Sequence, residues 1–163
     1  MIENVIPAAV AKFVASPECE ALVEEGLLGV DVKGTPWVFQ GSDDDRPFRD
    51  PAGTGKGAIV ITSNGIWGVN QHNTADFPLL TVLVYMDVSR KADGTILMKN
   101  GKSRTLSVLR RVKDVFHDAA NKDHEWPGLY VVSCVMQPGG FSVMGIPNSD
   151  AMHRGAANFE LSI

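Results

Sequence analysis

The clearest hydrophobic pattern in the sequence is a strict alternation from Phe77 to Ser89. One side of this segment is wholly apolar and consists of Leu80, Val82, Val84, Met86 and Val88. The other side is mixed and consists of Leu79, Thr81, Leu83, Tyr85 and Asp87. Because successive side chains of a strand point to opposite faces, the pattern predicts a long strand with its apolar side against a core. We therefore expect a sheet that helices cover on one face.

Two segments have the three- and four-residue spacing of amphipathic helices. The first spans residues 5–25, and Ser16 followed by Pro17 predicts a break in it, because serine is a favoured N-cap and proline fits the first helical position. Gly26 is expected to end this segment. The second and stronger helix spans residues 103–121, where the apolar positions are Leu106, Leu109, Val112 and Phe116.

Shorter strands are predicted between the first helix and the long strand. Residues 37–40 and 58–63 are rich in the aromatic and β-branched side chains that favour strands. Asn64-Gly65 predicts a tight hairpin turn, since both central positions of a type I′ turn require a positive φ, and residues 66–69 are then the returning strand. Residues 41–57 contain prolines and glycines and are predicted to form a long loop.

Two further strands are predicted at residues 129–137 and 156–163, on either side of a turn-rich loop. Helices and strands are thus segregated rather than regularly alternating, which is typical of an α+β fold. We expect a mostly antiparallel β-sheet with two main helices packed on one face and a long charged loop. The length of 163 residues agrees with one domain, which we place at residues 1–163.

Composition and charge exclude several classes of protein. Apolar residues make up 44% of the chain and charged residues 21%, which excludes a disordered chain and a coiled coil. The net charge of −4 argues against a general nucleic-acid binder. No basic segment leads from Met1 into an apolar run, and no apolar stretch has the length of a membrane span, so we expect a soluble cytoplasmic protein without membrane attachment. Cys19 and Cys134 are expected to be buried free thiols, although one disulfide between them stays open.

The glycine-rich segment 53–57 invites comparison with a phosphate-binding loop. A P-loop needs a glycine five residues before the glycine of its Gly-Lys pair, and a serine or threonine after the lysine. Asp50 and Gly57 occupy those two positions here. The segment is therefore predicted to be an ordinary surface loop.

Three consecutive carboxylates, Asp43, Asp44 and Asp45, are the most concentrated charge in the sequence. Clustered carboxylates suit hard cations, but three consecutive side chains rarely converge on one ion, and Arg46 and Arg49 follow at once. We therefore predict a solvated loop whose long charged side chains are suited to contacting a neighbouring molecule.

Catalytic chemistry has no clear candidate in the sequence. His117 and His124 flank the predicted end of a helix, but no histidine or cysteine has the spacing of a zinc site. The Gly-x-Ser-x-Gly motif of a nucleophile elbow is absent from the sequence, and neither cysteine lies in a catalytic motif. We predict no catalytic residue, no metal site and no cofactor.

Charge is divided unevenly along the chain. Residues 1–31 carry six carboxylates against one lysine, whereas residues 101–122 carry six cations against two aspartates. Three interpretations stay open: two solvated helix faces, faces that meet within one chain, and faces that meet across identical subunits of a head-to-tail ring. DNA binding by the basic helix is a further option, but its full apolar stripe favours a packed helix with cations at its rim.

The order of these elements resembles that of tail-terminator proteins of long-tailed bacteriophages. The resemblance rests on the leading amphipathic helix, the long strand Phe77–Ser89, the second helix Arg104–Ala120 and the following Gly128-Leu129-Tyr130-Val131-Val132. It continues through Ile146-Pro147-Asn148-Ser149-Asp150 to Arg154-Gly155 and an edge strand at residues 156–163. It covers most of the chain as an order of elements and includes no diagnostic short motif.

The resemblance implies a structural virion protein of the tail or neck, assembled in the host cytoplasm, and no enzymatic activity. Such proteins form a ring, usually of six copies, at the head-proximal end of the tail tube. Its implied partners are further copies of itself, the major tail tube protein and the head–tail connector or stopper protein. A ring of this charge implies an acidic or neutral lumen, through which DNA passes without specific binding. A head-completion or stopper neck protein is the alternative, followed by a small cytoplasmic α+β enzyme with a site at Asp43–Asp45 or at His117 and His124.

The predicted interface residues have charged or aromatic side chains, which suit contact with a neighbouring subunit rather than catalysis. Trp67 is a candidate anchor near the predicted hairpin, although ordinary sheet packing also explains it. Arg110 and Arg111 are expected to meet the acidic first helix of the next subunit. The remaining candidates are Asp43, Asp44, Asp45, Arg46 and Arg49.

Overall fold

A computed structural model provides the fold, and it describes residues 4–41, 46–67, 77–88, 101–117, 124–138, 140–145 and 152–163. The helices are α1 (Val5–Val14), α2 (Pro17–Glu24), α3 (Arg46–Arg49) and α4 (Gly101–Phe116). The strands are β1 (Val38–Gln40), β2 (Gly57–Trp67), β3 (Phe77–Asp87), β4 (Glu125–Trp126), β5 (Leu129–Tyr130), β6 (Ser133–Met136), β7 (Ser142–Gly145) and β8 (Met152–Ser162). The predicted α+β class is confirmed.

The main sheet has six strands in the order β1-β2-β3-β8-β6, and β7 pairs with β8 beyond the end of β6. Among the strands that the structure describes, β1 and β2 pair in parallel and the other pairs of the main sheet are antiparallel. β4 and β5 form a separate two-stranded sheet. The prediction of a mostly antiparallel sheet is therefore confirmed.

The core lies between the helices and one face of this sheet. The apolar side of β3 is buried there, together with Ile59 and Ile61 of β2. Phe116 of α4 stacks against Phe13 of α1 at 6.1 Å between ring centroids and contacts Phe159 of β8 at 5.6 Å. The alternation in the sequence thus identifies the buried face of β3.

The helix break is confirmed at the predicted place. Ser16 is the N-cap of α2, and its hydroxyl accepts a hydrogen bond from the Cys19 backbone N–H at 3.2 Å. Pro17 occupies the first turn, and Gly26 follows the helix with a φ of 74°. The second helix begins two residues earlier than predicted, and its predicted last residues, 118–121, lie outside the described residues.

The predicted hairpin turn at Asn64-Gly65 is wrong. Both residues lie inside β2, and the pairing with β3 shifts between Ser63 and Ile66. Two residues of β2 therefore face one residue of β3, which is a β-bulge. The features that make Asn-Gly suitable for a turn also suit a bulge, so the local signal is ambiguous.

The structure differs from the sequence predictions in four further places. Residues 129–137 are not one strand, because β5 pairs with β4 whereas β6 pairs with β8. β7 was not predicted at all. The last strand, β8, is not an edge strand, since β3 lies on one side of it and β6 and β7 lie on the other. Within the predicted loop 41–57, the one-turn helix α3 was also missed.

Candidate functional site

The free edge of β1 borders an open cleft of about 370 Å³. Its lining residues are Val10, Asp31, Thr35, Pro36, Trp37, Val38, Phe39, Gln40, Arg46 and Asp50. Strand β1 pairs only with β2 in the described part of the chain, so its other side faces this cleft. An unpaired strand edge presents backbone donors and acceptors to a neighbour.

A tight turn beside this cleft presents an apolar side chain to solvent. The Asp31 carboxylate accepts hydrogen bonds from the backbone N–H groups of Lys33 at 2.8 Å and Thr35 at 2.9 Å. Gly34 has a φ of 84°, which glycine adopts without strain. These contacts fix the turn, and Val32 at its tip is fully exposed.

The two arginines predicted in the charged loop lie on or beside α3. The Arg46 guanidinium lies over the Phe39 ring, 4.8 Å from its centroid. Arg49 forms an exposed ion pair with Asp50 at 3.4 Å. Both cations are exposed near the β1 edge, whereas the predicted Asp43, Asp44 and Asp45 lie outside the described residues.

Toward the opposite edge of the sheet, Val135 of β6 and Val132, which precedes β6, are exposed, and Tyr130 of β5 is exposed as well. The His124 ring stacks on Tyr130 at 5.4 Å between centroids. The free edge of β6 is partly covered, because the backbone N–H of Met136 donates to Nδ1 of the His117 ring at 3.0 Å. The two edges therefore differ in their backbone hydrogen bonding.

Arg111 and Arg110 have different surroundings on α4. The Arg111 guanidinium donates a hydrogen bond to a Glu25 carboxylate oxygen at 2.7 Å within the same chain. Arg110 is exposed. The acidic and basic segments therefore do meet inside one chain, through this pair. Whether Arg110 or Arg111 contacts another subunit stays a prediction.

Trp67 is the last residue of β2 and pairs with Phe77 at the first position of β3. Its side chain lies outside the described residues, so its role as an anchor stays a prediction.

A buried polar network that sequence reasoning missed joins the glycine-rich segment to β3 and α4. The Gly55 backbone N–H donates to the Asp87 carboxylate at 2.7 Å. The Arg104 guanidinium donates to the Gly55 carbonyl at 2.6 Å and to the Asp87 carbonyl at 2.8 Å. Burial lowers the pKa of Arg104 from its usual value, and the Asp87 charge opposes this. An aspartate on the otherwise apolar end of the long strand was the only sequence signal for this network.

The described residues contain no group of three or more potential metal ligands. His117 accepts from the Met136 backbone, while a ring nitrogen of His124 lies 3.0 Å from the Val131 carbonyl. Each imidazole therefore has a main-chain partner of its own. Cys19 and Cys134 are buried and form no disulfide with each other, as predicted, and burial raises the pKa of Cys19 to about 11. None of the helices in the described ranges has the length and apolar character that a membrane crossing requires.

One solved structure, described as "Virion of native gene transfer agent (GTA) particle", contains a chain of similar fold. The two chains superpose with a TM-score of 0.55 and 13% sequence identity, over 97% of this chain and 92% of that one. No protein-family model matches the sequence, and no curated protein matches it. At this identity the likeness establishes a shared fold over nearly the whole of both chains.

Proposed function

We propose that this chain is a structural subunit of a phage-like virion, and that it forms a ring at the head-proximal end of the tail tube. In this role it ends tube growth and joins the tail to the head connector. The observation that carries the proposal is the near end-to-end fold likeness to a chain of a gene transfer agent virion. Because both chains are covered almost completely, the likeness concerns the whole unit rather than a common substructure.

The distribution of exposed apolar side chains supports assembly through opposite edges of the sheet. Val32 lies beside the β1 edge, whereas Val135 belongs to β6 and Val132 precedes it. Tyr130 of β5 and Val14 of α1 are also exposed. A contact between two different surfaces of identical subunits is heterologous and closes into a ring when the rotation between them closes. Six copies would carry a formal charge of about −24, which favours passage of DNA through the lumen over its retention.

Strand directions are compatible with such a contact. β1 and β2 run parallel, and each later step from β2 to β3, β8 and β6 reverses direction. β1 and β6 therefore run in opposite directions, so adjacent copies in the same orientation would place these two edges antiparallel. This is the more stable of the two pairing modes.

Of the two arginines on α4, Arg110 is the better candidate for a contact with another subunit. Arg111 already pairs with Glu25, whereas Arg110 is exposed on the same helix. Glu20 and Glu24 of α2 are exposed as well, and their carboxylates can form an ion pair with Arg110 of a neighbouring copy. The loop residues Asp43, Asp44, Asp45, Arg46 and Arg49, together with Trp67, remain the other proposed contacts.

The first experiment measures assembly of the purified chain. We expect light scattering to give a mass several times 17.6 kDa and negative-stain images to contain rings with a central hole, alone or on added tail tubes. Binding to tail tubes supports a tail terminator, whereas binding to filled heads supports a head-completion or stopper protein instead. A chain that remains monomeric with both would overturn the proposal.

The interface proposal is tested by Arg110→Glu with Arg110→Lys as its matched control. Reversing the charge should reduce the fraction of chains in rings, and the effect should weaken at high salt because exposed charges are screened. The lysine variant keeps the charge and should assemble normally. Equal assembly of both variants at low and high salt would remove Arg110 from the interface.

The enzymatic alternative has its own test. Alanine substitution of Asp43, Asp44 and Asp45, or of His117 and His124, is combined with metal analysis of the purified protein. We expect no bound metal before or after substitution. A stoichiometric metal that these substitutions abolish would favour the enzyme.

A further inference from the structure

The segment of residues 46–56, here called the strap, follows the charged loop and crosses to the start of β2. It contains α3 and a series of turns. Its internal hydrogen bonds are local: the Asp50 N–H donates to the Arg46 carbonyl, and the Thr54 N–H donates to the Pro51 carbonyl. Because such bonds join residues close in sequence, they do not attach the strap to the sheet.

One end of the strap contacts β1, because Arg46 lies over the Phe39 ring. The other end is attached at Lys56, whose carbonyl accepts a hydrogen bond from the Asp87 N–H at 3.2 Å, and at Gly55. The peptide groups on either side of this residue lie between two charged side chains, with its N–H on the Asp87 carboxylate and its carbonyl on the Arg104 guanidinium. Asp87 is completely buried, and the Arg104 guanidinium also reaches the Asp87 carbonyl. Hydrogen bonds to ionised groups are stronger than neutral ones, so this small contact holds the strap firmly.

The core does not depend on the same contact. Arg104 and Asp87 lie at one end of α4 and β3, whereas Ile59, Ile61 and Val82 are packed farther along the sheet against the helices. Gly55 has a φ of 72°, a backbone conformation that glycine adopts without steric strain. The free energy of a local opening depends on the contacts that it breaks, and it can be smaller than the free energy of unfolding the whole core.

We infer that Arg104, Gly55 and Asp87 form a latch that holds the strap against the sheet, and that the strap opens locally when the latch is released. Arg46 and Arg49 lie at the other end of the strap, where Arg46 has its own contact with the Phe39 ring. The inference concerns the single chain and does not depend on the proposed ring.

The test compares Arg104→Met with Lys102→Met in the full-length chain. Methionine keeps an apolar stem but has no charged group, and Lys102 is an exposed cation of the same helix that is not among the interface candidates. In Arg104→Met we expect amide exchange at residues 50–56 to accelerate roughly tenfold or more, while exchange in β2 and β3 at residues 59–61 and 82–84 is unchanged. Cleavage by trypsin after Lys56 should accelerate in parallel. Lys102→Met should match the unmodified chain in both measurements.

Two results would overturn the latch. Unchanged exchange in the strap would mean that Arg104 does not hold it, and a uniform acceleration through the sheet would mean that the strap does not open separately. Should Arg104→Met fail to fold, Asp87→Asn is the second variant, since it keeps the shape and removes the charge from the Gly55 N–H bond. It should accelerate strap exchange alone, and an effect spread over β2 and β3 would contradict the inference in the same way.

Discussion

Replacement of Gly155 by alanine tests how closely α4 packs on the sheet. Gly155 lies in β8 opposite Val84, directly under α4. An added Cβ would lie 2.6 Å from Cγ2 of Thr105 and 2.8 Å from Cδ1 of Leu109, closer than carbon atoms approach without displacement. The helix or the strand must therefore shift to accommodate one methyl group.

Two opposing effects set the size of the change. Overpacking of a core typically costs about 1–3 kcal/mol. Alanine in place of glycine, at a position where its backbone is unstrained, contributes about 0.4–1 kcal/mol in the other direction by restricting the unfolded chain. The free energy of unfolding should therefore fall by about 0–2.6 kcal/mol. The sign of the change decides whether the close contact exists.

Urea denaturation of Gly155→Ala is the direct assay, with Ala156→Ser as control. Ala156 is the next residue of β8, is partly exposed on the other face, and its substitution should change stability by less than about 0.5 kcal/mol. Adding Thr105→Ser removes the nearest methyl and keeps the hydroxyl, which donates to the Gly101 carbonyl at 2.7 Å. The double variant should recover part of the loss. A Gly155→Ala protein more stable than the unmodified chain would refute the close packing.

Three further predictions concern the helices and the buried thiol. Ser16→Ala should lower the free energy of unfolding by about 0.5–2 kcal/mol in urea, because the Cys19 N–H loses its cap, and Ser16→Asp should recover most of it. A double-mutant cycle on Arg111 and Glu25 should give a coupling of less than about 1 kcal/mol that shrinks in high salt, since both side chains are partly exposed; a coupling independent of salt would contradict this. Because burial raises the pKa of Cys19 from 9.0 to about 11, the unfolded chain loses this proton first, so stability should fall between those pH values relative to Cys19→Ala. Parallel stability curves for the two proteins would show that the thiol is not so shifted.

The parts of the fold that could be predicted depend on patterns along one segment. The alternation in β3 and the Ser16-Pro17 break are local, and each was located correctly. The pairing of β8 with both β3 and β6 depends on residues far apart in the chain, and no local pattern indicates which strand becomes central. Residues 129–137 read as one strand because their apolar content is continuous, whereas the partner changes from β4 to β8 part-way along.

The candidate site was harder to predict for a similar reason. Arg111 was identified from its charge, but its partner Glu25 lies 86 residues away, and charge alone left a partner in the same chain and one in another subunit equally open. Gly55 was considered for phosphate binding and instead connects to Asp87 and Arg104, which the sequence does not place near each other. The exposed Val32 could have been noticed, because an apolar residue lies at the tip of an Asp-x-x-Gly turn.

The central position of β8 has a consequence for how this chain acquires its structure. Asn158 of β8 bonds Thr81 of β3 across 77 residues of sequence, and all of β6 and β7 rely on the same strand for pairing. Contacts of such long range slow folding, because a large loop must close before they contribute. During synthesis, β3 leaves the ribosome well before β8, so the edge of β3 that pairs with β8 stays unpaired in the meantime. This interval, rather than the finished fold, is the stage at which the chain is most exposed to aggregation.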